Sequence, residues 1–203
     1  MTEPPSPRND TRPTAVPPSR GLSRWIVPAT IVAIVWVAWP WVKPAIDRVI
    51  YAGQLASLPA PTALPVPVQG VSRQALRDTW GGARSGGRRH EGIDIFATRG
   101  RPVLSATEGI VTRTGTNTLG GNVVWVMGPG RQMHYYAHLE RHGDVGPGDR
   151  VAVGTVLGYV GDTGNARGTP PHLHYGIYAA GGAINPYPML RNASDARPAA
   201  SPR

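Results

Sequence analysis

Pro170-Pro171-His172-Leu173-His174-Tyr175-Gly176-Ile177-Tyr178 reads as a β-strand opened by two prolines. In a strand, residues two apart point to the same face. His172 and His174 therefore stand side by side, with Leu173 turned the other way. Two imidazoles aimed at one spot suit two tasks. Both can hold a metal, or one can hold it while the other moves a proton.

Working outward, the chain before this strand breaks into short apolar runs of β character. They are Gly92–Phe96, Pro102–Ser105, Gly109–Arg113, Asn122–Met127, Gln132–His138, Arg150–Val153 and Thr155–Val160. Turn signals separate them, among them Leu119-Gly120-Gly121, Gly128-Pro129-Gly130 and Gly146-Pro147-Gly148-Asp149. The 203 residues hold 26 glycines and 22 prolines, which favours strands and turns over long helices. The expectation is an all-β domain over residues 71–190, a compact antiparallel sheet or sandwich without a helix of ordinary length. A tail, 191–203, is expected to be disordered.

All six histidines lie in this domain: His90, His134, His138, His142, His172 and His174. His90-Glu91-Gly92-Ile93-Asp94 sets an imidazole and a carboxylate an even number of residues apart, on one face of a strand. Asp94 is a charge between Ile93 and Ile95, and a buried carboxylate needs a cation to offset its desolvation. With one histidine of the 172/174 pair, His90 and Asp94 make a two-nitrogen, one-oxygen set, leaving a fourth metal position for water. Spacing does not say which histidine of the pair belongs to it. The competing reading pairs Asp94 with Arg88 or Arg89 and leaves the histidines to hydrogen-bond. The chain has no cysteine, so thiolate sites and disulfides are excluded. His134, four residues before His138, shares its face in a regular strand and is expected to be structural. His142 is expected to be exposed and Glu91 to face away from His90. Tyr136, Tyr175 and Tyr178 are expected in the core or a groove wall.

Outside the domain, residues 1–24 carry six prolines and scattered arginines and are expected to be disordered. Trp25 to Val42 is an uncharged run of 18 residues, at the lower edge of a bilayer span. Trp25, Trp39 and Trp41 fit interfacial belts, and Pro28 and Pro40 sit near its ends. Arg8, Arg12, Arg20 and Arg24 precede the run, which by the positive-inside rule keeps the N-terminus in the cytoplasm. A cleaved signal peptide and a buried core helix are the alternatives. Residues 43–70 are expected to begin with a helical extension to about Leu58 and to end in a proline-rich spacer. This organisation describes a single-pass protein of the cytoplasmic (inner) membrane with an extracytoplasmic domain. The formal charge of +9 is spread thinly, with no stripe for nucleic acid. It provides general attraction to anionic surfaces.

GRRHEGIDIFATRGRPV, YYAHLE and PPHLHYGIY, in this order, resemble the lysostaphin/LytM-type zinc endopeptidases that cut peptide cross-links in peptidoglycan. The resemblance covers roughly residues 75–189. It implies a duplicated-hybrid-motif fold, an antiparallel β structure with the site in a groove. It also implies His90, Asp94 and His174 as ligands of one zinc ion, and His138 and His172 as the further active-site histidines. The implied activity is zinc-dependent hydrolysis through a metal-activated water. A non-enzymatic regulator, binding a cell-wall amidase or division partner, is the alternative within the same family; a peptidase for a non-wall peptide is a third reading. Arg84, Arg88 and Arg89 flank the first ligand and could contact an acidic stem peptide, and Arg84, Arg89 and Tyr136 are the candidate substrate-binding residues. Tyr175 stands where the family usually has phenylalanine, and the loop before His90 is short.

Overall fold

The computed structural model describes residues 23–192. The segments 1–22 and 193–203, both expected to lack structure, fall outside these residues. A first helix, α1 (Ser23–Ser57), is followed by nine strands and a short closing helix. The strands are β1 (Ile93–Phe96), β2 (Pro102–Leu104), β3 (Gly109–Asn117), β4 (Gly121–Met127) and β5 (Met133–His142). They continue as β6 (Arg150–Val151), β7 (Val156–Val160), β8 (His172–Ala179) and β9 (Gly182–Ile184), and the closing helix is α2 (Tyr187–Arg191). All pairings are antiparallel, in the order β1-β8-β5-β4-β3-β6, with β7 bridging β2 and β5 and β9 alongside β8.

The all-β expectation holds, with the apolar runs falling on strands β1 to β8. Period-two alternation explains why. Ile93 and Ile95 on β1, with Leu173, Tyr175 and Ile177 on β8, turn to one side and enter the core. Each fully buried aliphatic side chain contributes on the order of 1.5–3 kcal/mol. The intervening residues Asp94, His172 and His174 turn to the other side. Strand β9 and helix α2 were not foreseen: both are too short to carry a periodic signal.

Helix α1 is continuous through Pro28, Pro40 and Pro44 and therefore longer than the apolar run 25–42. A stretch within it, Thr30–Ser57, is long and apolar enough to cross a membrane; its 18-residue apolar window has mean hydropathy 1.2 and no buried residue. The first unit of the chain ends at Ile46, and residues from Asp47 onward belong with the β domain. There Arg150 Nη2 donates to Asp47 O at 2.6 Å, and Leu55 is fully buried.

The proline-rich stretch corrects an expectation. Residues 59–70 do not stand off as a spacer but line the domain as an extended edge. Leu64 N–H donates to Met189 O, Gln69 N–H to Pro102 O and Leu104 N–H to Pro67 O, each at 3.0 Å. The reason is the alternation in Leu64-Pro65-Val66-Pro67-Val68. Leu64 and Val68 enter the core cluster and Val66 lies against it. Proline tolerates such an edge because its missing N–H costs no ladder bond there.

Candidate metal centre

Register builds the site. On β1 and β8, Asp94 lies directly opposite His174 and Phe96 opposite His172. Directly opposed residues share a face. On the other side of β8, His174 is paired with Ala137 of β5. Alanine there leaves open space beside the imidazole. His90 reaches the same point from the segment before β1.

Three donor atoms converge, all within 4.8 Å of one another: one each from His90, Asp94 and His174. His90 Nε2 is 2.8 Å from His174 Nδ1. Asp94 Oδ1 is 3.1 Å from the first and 3.3 Å from the second. His90 Nδ1 is 2.7 Å from Thr79 O, a carbonyl that can only accept. That bond fixes the proton on Nδ1 and leaves a lone pair on Nε2, as a metal-binding histidine requires. Burial acting alone would raise the Asp94 pKa. The contacts of the carboxylate with His174, His90 and Arg84 outweigh it and hold the carboxyl well below the usual range. Burial pushes the His174 pKa down, which keeps the ring neutral. Two neutral nitrogens and an ionised carboxylate form a donor set that fits zinc or a similar divalent ion.

Glycine is required beside this cluster. A Cβ at Gly92 would lie 2.5 Å from Tyr175 O and 2.8 Å from His174 Cε1. Gly92 thus lets β1 approach His174, and its role was not read from the sequence. Thr79 was also missed: besides orienting His90, its Oγ1 accepts the Asp94 N–H at 3.0 Å. It lies far from any motif, so only the fold brings it in.

His138 and His172 stand next to the cluster, their ring centroids 5.1 Å apart. His138 Nδ1 is 2.9 Å from Thr163 O, and His172 Nδ1 is 2.8 Å from Pro170 O. Each carbonyl pins a proton on Nδ1 and leaves Nε2 turned away from that bond. His172 Nε2 is 3.9 Å from Asp94 Oδ1. Burial, and then the neighbouring His174, lowers the His138 pKa to about 4.

The orientation of His138 breaks the strand rule. Tyr136 and Leu139, three residues apart, both lie in the core. Strict alternation would send His138 to the core side with Tyr136. Its φ of 62° turns it into the groove instead. For a non-glycine residue this costs on the order of 1–2 kcal/mol. The bonds from His138 N–H to Gly120 O, 2.7 Å, and from its ring to Thr163 offset that cost.

His134 keeps the regular face and is fully buried, its Nδ1 2.7 Å from the Tyr175 hydroxyl. It is remote in role from His138, and burial lowers its pKa to about 4. His142 is half-buried rather than exposed, with Nε2 3.2 Å from both Gly115 O and Val123 O. Glu91 is exposed at the groove margin. Tyr136, a candidate for substrate contact, is instead a core residue whose hydroxyl accepts the Ala106 N–H at 3.0 Å. Its neighbour Tyr135 lines the groove. Asp94 does pair with an arginine, but with Arg84, 2.5 Å from Oδ2, and not with Arg88 or Arg89. The groove is about 1010 Å³, and Arg84, Arg88 and Arg89 also line it.

Fold and donor set together define a β-sheet site able to hold a divalent ion, its three-donor cluster in a groove beside the two imidazoles of His138 and His172. The model for peptidase family M23 matches residues 88–186. Over these residues the chain carries a domain of this family. It is 41% identical to the L-Ala--D-Glu endopeptidase of Bacillus subtilis, over 64% of this chain and 43% of that protein. It is 34% identical to the glycyl-glycine endopeptidase ALE-1 of Staphylococcus capitis, over 53% of this chain and 30% of that protein. The chain thus spans less than half the length of these curated relatives. The catalytic domain of lysostaphin from Staphylococcus simulans superposes with a TM-score of 0.52 at 29% identity, covering 59% of this chain and 95% of that one. Csd3 of Helicobacter pylori gives 0.53 at 27% identity, covering 68% of this chain and 38% of that one.

Proposed function

We propose that this chain is a zinc-dependent endopeptidase that hydrolyses peptide cross-links of peptidoglycan. The observation that carries the reading is the convergence of His90, Asp94 and His174 beside two imidazoles with free Nε2 atoms. Relatives named as an L-Ala--D-Glu endopeptidase, a glycyl-glycine endopeptidase and a peptidoglycan DD-endopeptidase support the substrate class.

In this reading His90 Nε2, Asp94 and His174 Nδ1 hold the ion. When bound, zinc supplies Lewis-acid polarisation and an acidified water. The remaining chemistry belongs to the chain. His138 and His172, each with its Nδ1–H donated to a backbone carbonyl, offer Nε2 to accept a proton from the attacking water. Once protonated there, the same atom donates a hydrogen bond to the developing oxyanion or a proton to the leaving amine. The carbonyls of Thr163 and Pro170 hold both rings in register, so no tautomer change is needed before the reaction.

Placement follows from α1. The helix anchors the chain in the cytoplasmic membrane, N-terminus inside, and the β domain meets the wall on the outer face.

The test is digestion. Full chain in detergent is incubated with peptidoglycan sacculi, with and without a chelator, and released fragments are weighed by mass spectrometry. Chelator-sensitive muropeptides are expected, and their masses identify the bond. A zinc-loaded chain that releases nothing would instead fit a binding regulator.

A further inference from the structure

Residues 81–90 form a small hairpin that aims one arginine at the reaction centre. Gly81 N–H donates to His90 O, His90 N–H to Gly82 O and Arg84 N–H to Arg88 O, each at 2.9 Å. Ala83 and Arg89 are bridged across it. Gly86 and Gly87, at φ of 72° and 71°, make the tip. One arm ends in the ligand His90, and the facing arm carries Arg84.

The three arginines differ in what they are committed to. Arg88 Nε and Nη2 are turned to Ser85, at 3.2 and 3.4 Å, and Arg89 Nη1 faces Gly81 O at 3.4 Å. Arg84 has one partner among the described residues, Asp94 Oδ2, through Nη2 alone. Its side chain is 39% exposed. A guanidinium carries five N–H donors in a rigid fork. Most of those on Arg84 are therefore free and open to the groove. Against three arginines the groove wall sets two acids, Glu91 and Asp94. A bound divalent cation adds further positive charge, so the groove mouth attracts an anion.

The geometry points to Arg84 as the residue that reads a free carboxylate on the substrate, on the residue next to the scissile bond, which makes the substrate an acidic peptide. This rests on the peptidase reading above. Proximity sets the position: Arg84 touches a side chain that itself holds the metal. A group one residue from the scissile carbonyl, within ~3.8 Å along the chain, comes into reach of the fork. A carboxylate accepts two parallel N–H bonds from such a fork, and a carboxamide cannot.

The experiment uses the zinc-loaded full chain and two synthetic stem-type peptides. They differ only in a free carboxylate or a carboxamide on the residue flanking the scissile bond. The wild type is expected to cleave the carboxylate peptide with kcat/KM about 10- to 100-fold higher. Arg84→Gln is expected to abolish that preference, lowering kcat/KM on the carboxylate peptide about 10- to 100-fold more than on the carboxamide peptide, with zinc retained. Equal losses on both peptides, or a fall in zinc content, would assign Arg84 to holding Asp94 and overturn the proposal. So would a wild type that ignores the difference. Calorimetric binding of both peptides to the zinc-loaded His172→Ala chain, with and without Arg84→Gln, separates the two readings. If the wild type cleaves neither peptide, the peptidase reading falls. The binding preference, present or absent, still decides the role of Arg84.

Discussion

His90 Nε2 and His174 Nδ1 face each other at 2.8 Å, with Asp94 Oδ1 within 3.3 Å of both. Two ring nitrogens that close share a proton or a cation. His90 already carries its proton on Nδ1, held by Thr79 O. A divalent ion satisfies all three donors at once. Single replacement of His90, Asp94 or His174 by Ala is therefore expected to lower zinc content at least about tenfold. Elemental analysis of the purified chain checks this, and full occupancy in any of the three variants removes that residue from the site.

His138 and His172 should behave differently. Neither belongs to the converging cluster, and both keep Nε2 free. His138→Ala and His172→Ala are expected to retain zinc and lose about 10²- to 10⁴-fold in kcat. Paired measurements of metal content and turnover check this. Survival of turnover would refute the proton-transfer role.

Thr79 tests the support behind the ligands. Thr79→Val removes the acceptor of the Asp94 N–H but keeps the carbonyl that orients His90. Leaving that N–H unpaired costs about 1–3 kcal/mol. The altered support should weaken metal affinity by about tenfold. Thermal unfolding and competition with a zinc indicator read the two effects separately.

Gly92 tests close approach. In Gly92→Ala the new methyl meets Tyr175 O at 2.5 Å and the His174 ring at 2.8 Å. Either β1 or His174 must move. The expected outcome is a destabilisation of about 1–3 kcal/mol, together with weakened zinc binding. A variant with wild-type metal affinity and stability would show that β1 relaxes at no cost.

His134 sets a pH dependence away from the metal. Burial depresses its folded-state pKa to about 4, so the unfolded chain binds the extra proton first. Stability is then full above the unfolded pKa of about 6.5 and is lost as pH falls toward 4, by about 3 kcal/mol. His134→Phe removes this titration, and the variant's stability should fall less steeply over that window. Urea melts between pH 7 and 4 decide it.

The readable part of this chain is what local periodicity encodes. Alternation of apolar residues placed eight of the nine strands. The even spacings His90/Asp94 and His172/His174 put the metal-binding residue types on shared faces, because side chains in a strand repeat every two residues. The Trp25–Val42 run was legible as a helix from its uncharged length of 18 residues and not from any alternation. In the proline-rich stretch the alternation of Leu64, Val66 and Val68 was present, but it has meaning only with the β2 edge beside it.

Other features depend on contacts between residues far apart in the sequence. Alternation alone sends His138 into the core with Tyr136. Its left-handed backbone, held by Gly120 and Thr163, turns it to the groove. Because the break comes only at His138, it is Tyr135 and not Tyr136 that lines the groove with it. The hairpin tip, not proximity in sequence, chose Arg84 over Arg88 and Arg89 as the partner of Asp94. Residue types and their two-residue period were fixed by the chain alone. Which atoms meet was decided by the tertiary structure, because backbone reversals and cross-strand bonds outweigh the local preference of any single residue.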